Sequence, residues 1–232
     1  MTVGINTLAV AALASYACGA PLEVQPRVAC ASGLYMIVAR GSNEAAGEGK
    51  PGAVADGVVS RLPGSVSVAV DYPASIVGGD LYPESVTKGI NDAKKKVVDY
   101  VAACGDKSRI VLIGYSQGGN VMTDLLAGGV AKPDPLDSSY RKYIHGVVTF
   151  GDPTFVANQT YDYGSNANGK NGIFTRANNA DGMALLDAYS DVMASYCDKG
   201  DPFCASGIHE SVHSNEVPNH KDAAVDFIVA HA

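Results

Sequence analysis

The sequence predicts a three-layer α/β sandwich, a mainly parallel sheet of about five strands flanked by helices. Three observations carry that expectation. Short apolar runs alternate with longer amphipathic stretches, the pattern of a parallel sheet covered by helices. The runs Tyr35–Ala39 and Ile110–Ile113 are apolar throughout, as strands buried on both faces must be. The chain has 232 residues, 47% hydrophobic and 18% charged, enough for a sizeable core and too little charge for disorder.

The elements follow in order. Tyr35–Ala39 is the first strand, stopped by Arg40-Gly41-Ser42. Val54, Val58 and Leu62 recur at helical spacing, and Pro63-Gly64 ends that helix. Val66, Val68 and Val70 alternate as a strand before Asp71-Tyr72-Pro73. Residues 85–104 form the clearest helix, with Val86, Ile90, Ala93, Val97, Val101 and Cys104 on one face and Lys94, Lys95 and Asp99 off it. Ile110–Ile113 is a buried strand, and 117–126 a helix carrying Val121, Met122, Leu125 and Leu126. Two prolines make 131–139 a loop, and Ile144–Phe150 is a strand. Residues 156–182, rich in Asn and Gly, read as a long loop of the kind that is usually functional or mobile. Val192–Cys197 supplies the last strand, and Asn219–His231 the last helix, buried through Ala223, Ala224, Phe227 and Ile228. No repeat or linker interrupts the chain, so residues 30–232 are expected to form one domain.

Charge excludes some functions. Lys and Arg total 17 against 24 Asp and Glu, a net charge of −7, with no basic footprint for nucleic acid or for an anionic membrane surface. Residues 1–20 carry no charged side chain, and Leu8–Ala14 forms a short apolar core followed by the small residues Ala17, Gly19 and Ala20. That stretch is shorter than the ~20 residues a spanning helix needs. It reads as a secretory signal, so the chain is expected to be extracellular, with no membrane anchor. The five cysteines are Cys18, Cys30, Cys104, Cys197 and Cys204. If Cys18 leaves with the signal, the remaining four suit an oxidising compartment, and sequence alone permits three pairings. Asn158-Gln159-Thr160 is a glycosylation sequon.

Gly114-Tyr115-Ser116-Gln117-Gly118 matches G-x-S-x-G. An apolar strand directly before it and a helical pattern directly after make a strand–turn–helix elbow, with Ser116 as the candidate nucleophile. The fold expectation sharpens to an α/β hydrolase-like three-layer sandwich. No insertion is long and apolar enough for a lid, so the serine should be accessible unless 156–182 covers it. A serine hydroxyl needs a base and an orienting acid, and on this architecture both follow it in the order acid, then histidine. Asp152, Asp198 and Asp201 are the acids to consider, and His209, His213 and His220 the bases. His145, inside a strand run, and His231, near the end, read as structural.

Four segments resemble the cutinase family of fungal and bacterial serine esterases, which includes acetylxylan esterases. They are Ala39-Arg40-Gly41-Ser42, Asp71-Tyr72-Pro73-Ala74, Gly114-Tyr115-Ser116-Gln117-Gly118-Gly119 and Ser195–Cys204, together spanning residues 30–213. The resemblance implies an acid within a Cys-bounded loop and a histidine about a dozen residues later, which are Asp201 and His213. It implies oxyanion donors at Ser42 and Gln117, and disulfides Cys30–Cys104 and Cys197–Cys204. It implies an ester substrate, with no cofactor and no metal, and the chain is expected to act as a monomer.

Two rival classes remain. His209-Glu210-Ser211-Val212-His213 spells the H-E-x-x-H zinc signature, but Gly207 before it and Pro218 after it are expected to leave too little helix for both histidines to share a face. A non-catalytic binding protein would ordinarily have lost part of the serine constellation. Among esters, residues 205–212 and Ser214-Asn215-Glu216 suggest a rather polar rim, favouring acetyl groups on a plant polysaccharide over cutin. There is no Trp, so Tyr72, Tyr82, Tyr115 or Tyr161 would have to stack on sugar.

Overall fold

The computed structural model describes residue 1, residues 29–77 and residues 80–232. The leader expected over 1–20, with Cys18, lies outside the described residues apart from Met1. Strand alternation divides the core in two. On β1 (Tyr35–Ala39), Tyr35, Ile37 and Ala39 face one apolar cluster, while Met36 and Val38, with the preceding Leu34, face the other. Complete burial on both faces is why this run carries no polar residue.

The sheet also contains β2 (Val66–Ala69), β3 (Ile110–Tyr115), β4 (Ile144–Phe150), β5 (Asp162–Tyr163) and β6 (Met193–Tyr196). Their order is β2-β1-β3-β4-β6-β5, and every pairing is parallel. On one face lie α2 (Tyr82–Cys104), α3 (Gln117–Ala127) and α4 (Ala180–Asp187); on the other, α1 (Gly52–Arg61) packs against α5 (Glu210–Ala230). Every residue of α3 is buried, because sheet, α2 and α4 enclose it. The Cys30–Cys104 and Cys197–Cys204 disulfides are formed, across 74 and 7 residues of chain. In the chain-entropy account they contribute about 4 and about 2 kcal/mol.

The sheet has six strands rather than about five. The addition is β5, whose two residues pair with Ser195 and Tyr196 from within a segment read as irregular. Nothing so short shows in an alternation pattern. The same polar segment runs into α4, started by the Asn179 side chain, which accepts from the Gly182 N–H. Residues 138–143 form a short 3-10 turn where a loop over 131–139 was expected.

The larger difference is α5, which begins at Glu210 and continues through Pro218. A proline inside a helix frees the carbonyl four residues earlier. Here that is Ser214, and its oxygen accepts from Lys50 Nζ at 3.1 Å. A lysine on a distant loop lets the helix run through a residue that reads as its boundary.

Asp162 on β5 gives a pH test of the sheet edge. One carboxylate oxygen accepts from the Gln159 N–H at 2.8 Å, while the other is buried with no partner among the described residues. Burial pushes this carboxyl up to about 7. Below about pH 4 both folded and unfolded chains hold the proton and there is no penalty. As pH rises from there through about 7, the unfolded chain releases it more readily and the fold loses stability. Asp162→Asn keeps the acceptor for Gln159 and cannot ionise. Its melting temperature should exceed that of the unsubstituted protein at about pH 8, by a margin that shrinks toward about pH 4 in calorimetric scans.

Candidate active site

Between the end of β3 at Tyr115 and the start of α3 at Gln117 the chain has one residue for the turn, Ser116. Its backbone takes φ 56°, ψ −118°, a conformation that costs a non-glycine residue about 1–3 kcal/mol. The Ser116 N–H donates to the Phe150 carbonyl at 2.8 Å, and its own carbonyl accepts from the Asn120 N–H at 3.1 Å. The glycines two before and two after are there for close approach. A Cβ at Gly114 would lie 2.3 Å from the Gly118 oxygen, and one at Gly118 would lie 2.1 Å from the Ala39 oxygen. So tight a turn holds the Ser116 hydroxyl beside the unpaired first-turn amides of α3, where partial positive charge collects.

His213 lies in the first turn of α5. Its Nε2 stands 2.8 Å from Ser116 Oγ and its Nδ1 2.7 Å from Asp201 Oδ2. The imidazole sits between the rings of Tyr115 and Phe203, at 5.1 and 4.5 Å, and the Tyr115 hydroxyl donates to the His213 carbonyl at 3.2 Å. Asp201 is fully buried. Its Oδ1 accepts from the N–H groups of Phe203 and Cys204 at 2.7 and 3.0 Å, leaving Oδ2 for the imidazole. The disulfide closes the loop that supplies both amides.

The other candidates are engaged elsewhere. Asp152 accepts from the Thr123 hydroxyl and from the N–H and hydroxyl of Thr154. Asp198 pairs with His220 at 2.9 Å. His145 lies in β4, and His231 Nδ1 donates to the Phe227 carbonyl at 2.7 Å. The H-E-x-x-H stretch does enter a helix, contrary to expectation, but His209 is its N-cap with φ −110°, ψ 94°. The two imidazoles are therefore not successive turns of one helix face, and both nitrogens of His213 are taken.

Ser42 lines the same cleft as Ser116, and Gln117 follows Ser116 directly at the start of α3. Gln117 is buried; its side-chain oxygen accepts from the Ser85 hydroxyl at 2.9 Å and its Nε2 donates to the Ser75 carbonyl at 2.9 Å. Its backbone N–H, at the first position of α3, has no partner within the helix. The turn bearing Ser42 is tied down by Arg40, whose guanidinium donates to the Tyr72, Pro73 and Glu44 carbonyls. Glu44 in turn accepts from the Gly41 and Lys50 N–H groups. Arg-Gly-Ser and Asp-Tyr-Pro-Ala are thus two halves of one structure.

A cleft of about 480 Å³ opens over Ser116 and His213. Its lining includes the polar Glu44, Lys50, Glu210 and Ser214 and the apolar or aromatic Ile76, Tyr82, Ile173, Phe174 and Phe203. Loop 156–182 supplies a wall through Ile173 and Phe174, while Ser116 stays partly exposed. Of the expected rim over 205–212 and 214–216, Glu210 and Ser214 line the cleft, while Ala205, Gly207, Ile208 and His209 line a separate depression. Of the four tyrosines considered for stacking, Tyr82 and Tyr115 line the cleft, Tyr115 with little exposed surface, while Tyr72 and Tyr161 are buried and do not line it. Sequence reasoning also missed Glu216, which has no exposed surface. Burial pushes its carboxyl up to about 9, with the Asp201 and Asp198 carboxylates acting the same way and the Asp198 N–H opposing them.

Comparison with known proteins places this geometry. The family model described as Cutinase matches residues 30–232. The chain is 32% identical over 223 residues to Acetylxylan esterase 2 of Talaromyces purpureogenus, covering 90% of each chain. It is 28% identical to Cutinase 11 of Verticillium dahliae, covering 93% of this chain and 74% of the relative. A structure of acetylxylan esterase at 0.90 Å superposes with TM-score 0.78 at 30% identity, over 88% of this chain and 99% of the other. The catalytic core domain of acetyl xylan esterase from Trichoderma reesei gives TM-score 0.77 at 26% identity, over 88% and 100%.

The elbow can be tested through its backbone. Gly118→Ala pushes a methyl group against a main-chain oxygen that cannot swing away as a flexible side chain would. The substitution should lower unfolding free energy by about 3 kcal/mol in a denaturant titration, whereas Gly47→Ala, where a Cβ meets nothing within 4 Å, should cost less despite its positive φ.

Proposed function

The chain belongs to the cutinase family and is a serine carboxylic ester hydrolase, and we propose that it is a secreted enzyme deacetylating plant polysaccharide through a Ser116–His213–Asp201 triad. The observation that carries the mechanism is the unbroken line of hydrogen-bond contacts, 2.8 Å from Ser116 Oγ to His213 and 2.7 Å from His213 to Asp201. Ser116 Oγ attacks the ester carbonyl while His213 Nε2 takes its proton. Asp201 keeps the other imidazole nitrogen protonated and stabilises the imidazolium that forms. The oxyanion is stabilised by the backbone N–H groups of Ser42 and Gln117 and by the Ser42 hydroxyl. His213 then passes its proton to the departing alcohol, and a water molecule that it deprotonates releases the acid from the acyl-enzyme.

Acetylated polysaccharide is favoured by the acetylxylan esterases among the relatives at 30% identity and above. Glu44, Lys50, Glu210 and Ser214 in the cleft lining offer hydrogen-bonding groups to a hydroxyl-rich alcohol portion. A second reading, cutin or another ester of longer acyl chain, is favoured by one specific observation. Ile76, Ile173 and Phe174 remain 43%, 45% and 53% exposed at the cleft, an apolar surface on which a longer chain could lie. Secretion is supported by the two disulfides, which persist in oxidising compartments.

Three measurements test this reading. Ser116→Ala and His213→Ala should each lower kcat by several orders of magnitude while the circular dichroism spectrum is kept; loss with His209→Ala but not His213→Ala would contradict the assignment. Ser42→Ala should cost about 3 kcal/mol of transition-state stabilisation, read as kcat/KM on p-nitrophenyl acetate. Across p-nitrophenyl esters of increasing length the rate should be highest at acetate, and acetylated xylan should release acetate. Rates that rise to butyrate and beyond, with no acetate from xylan, would establish the second reading.

A further inference from the structure

Behind Asp201 lies a cluster that ester hydrolysis does not use. Asp198 belongs to the disulfide-closed loop that carries Asp201, while Glu216 and His220 belong to α5, which carries His213. Positions 216 and 220 are one helical turn apart and share a face. Glu216 Oε1 accepts from the Asp198 N–H at 2.7 Å, but its Oε2 is buried with no partner among the described residues. That oxygen stands 3.9 Å from His220 Nε2, and Nε2 stands 2.9 Å from Asp198 Oδ2.

The three residues bring one donor atom each to within 4.8 Å of one another. For a tetrahedral zinc ion with ligands at about 2.0–2.1 Å, the ligand-to-ligand separation is about 3.3 Å; the two separations from His220 Nε2, 2.9 and 3.9 Å, bracket it. The donors are also held in place. Asp198 Oδ1 accepts from the N–H and hydroxyl of Ser165, both at 2.8 Å, and the Tyr196 ring stacks on His220 at 4.9 Å. Among the described residues no lysine or arginine pairs with either carboxylate; His220 is the basic side chain that faces both.

We infer that Asp198, Glu216 and His220 form a divalent-cation site, fitted to zinc, that fastens the loop bearing Asp201 to the helix bearing His213. On binding, the His220 Nε2 hydrogen bond to Asp198 is given up, the neutral ring carries its proton on Nδ1 and coordinates through Nε2, and the proton held by Glu216 leaves to solvent. Glu216 Oε2 and Asp198 Oδ2 supply two further ligands. Asp198 and His220 are partly exposed, which leaves water access to the fourth position. The mixed nitrogen and oxygen donor set suits zinc over magnesium or calcium, which prefer oxygen alone. None of the three ligands touches Ser116, so the ion fixes the acid and base against each other and takes no part in the chemistry.

The test uses the full chain with both disulfides intact, stripped with a chelator and titrated with zinc chloride in a calorimeter. One equivalent should bind, and the melting temperature should rise by several degrees at about 100 times the dissociation constant. Magnesium should produce neither effect. Glu216→Gln keeps the acceptor for the Asp198 N–H, and it and His220→Ala should each abolish the one-equivalent binding. His209→Ala should retain it. Absence of one-equivalent binding, or binding unchanged in Glu216→Gln and His220→Ala, would overturn the site. The stripped enzyme should still hydrolyse p-nitrophenyl acetate, so failure here is distinct from failure of the triad.

Discussion

The structure depends on the approach of α3 to the end of β1. At Gly118 the helix backbone lies so near the Ala39 carbonyl that a Cβ would meet it at 2.1 Å. That contact leaves Ser116 alone to make the turn, at a positive φ that serine adopts only under compulsion. The compulsion comes from the sheet. β3 sits between β1 and β4, with all its residues buried, and the Ser116 N–H is held by the last residue of β4. Strain at one residue is thus borne by a large apolar core, and the hydroxyl is displayed at the carboxyl edge of the strands, where parallel sheets place their sites.

The imidazole that meets that hydroxyl and the carboxylate behind it come from two later elements, each fixed by different physics. Asp201 is oriented by backbone amides within a loop of seven residues' separation closed by a disulfide. With Oδ1 committed to Phe203 and Cys204, only Oδ2 is free for a partner, which fixes the direction of the bond. His213 is fixed by packing between two aromatic rings and by its place in the first turn of α5. The helix survives Pro218 because Lys50 satisfies the Ser214 carbonyl. Lys50 also lines the cleft, so one residue supports the helix and shapes the opening.

The sheet strands and the elbow were legible because their signals are local. Ile110–Ile113 has no polar residue, and the glycines of the elbow mark the close approaches found around it. Asp201 could not be separated from Asp152 or Asp198 by sequence spacing, and family resemblance selected it; which carboxylate is free for an imidazole depends on tertiary hydrogen bonds. The start of α5 was misplaced because the compensation for Pro218 is remote in sequence: Lys50 lies 164 positions from the Ser214 carbonyl that it satisfies. The cleft wall at Ile173 and Phe174 was missed for a related reason. Two apolar residues inside a polar segment have no periodicity, and only the folded loop, hydrogen-bonded to Pro153 and Phe203, brings them to the serine. Glu216 reads as a surface acid beside Asn215 and is buried because α5 turns that face toward the disulfide loop.

The central claim is that Ser116 becomes acylated with His213 as its base. The most direct measurement is mass spectrometry of the protein treated with diethyl p-nitrophenyl phosphate, together with the p-nitrophenolate released. The account predicts one equivalent released, a single diethylphosphoryl adduct on the peptide containing Ser116, and parallel loss of esterase activity. Full activity after treatment, or inactivation with the adduct on another residue and Ser116 unmodified, would contradict it.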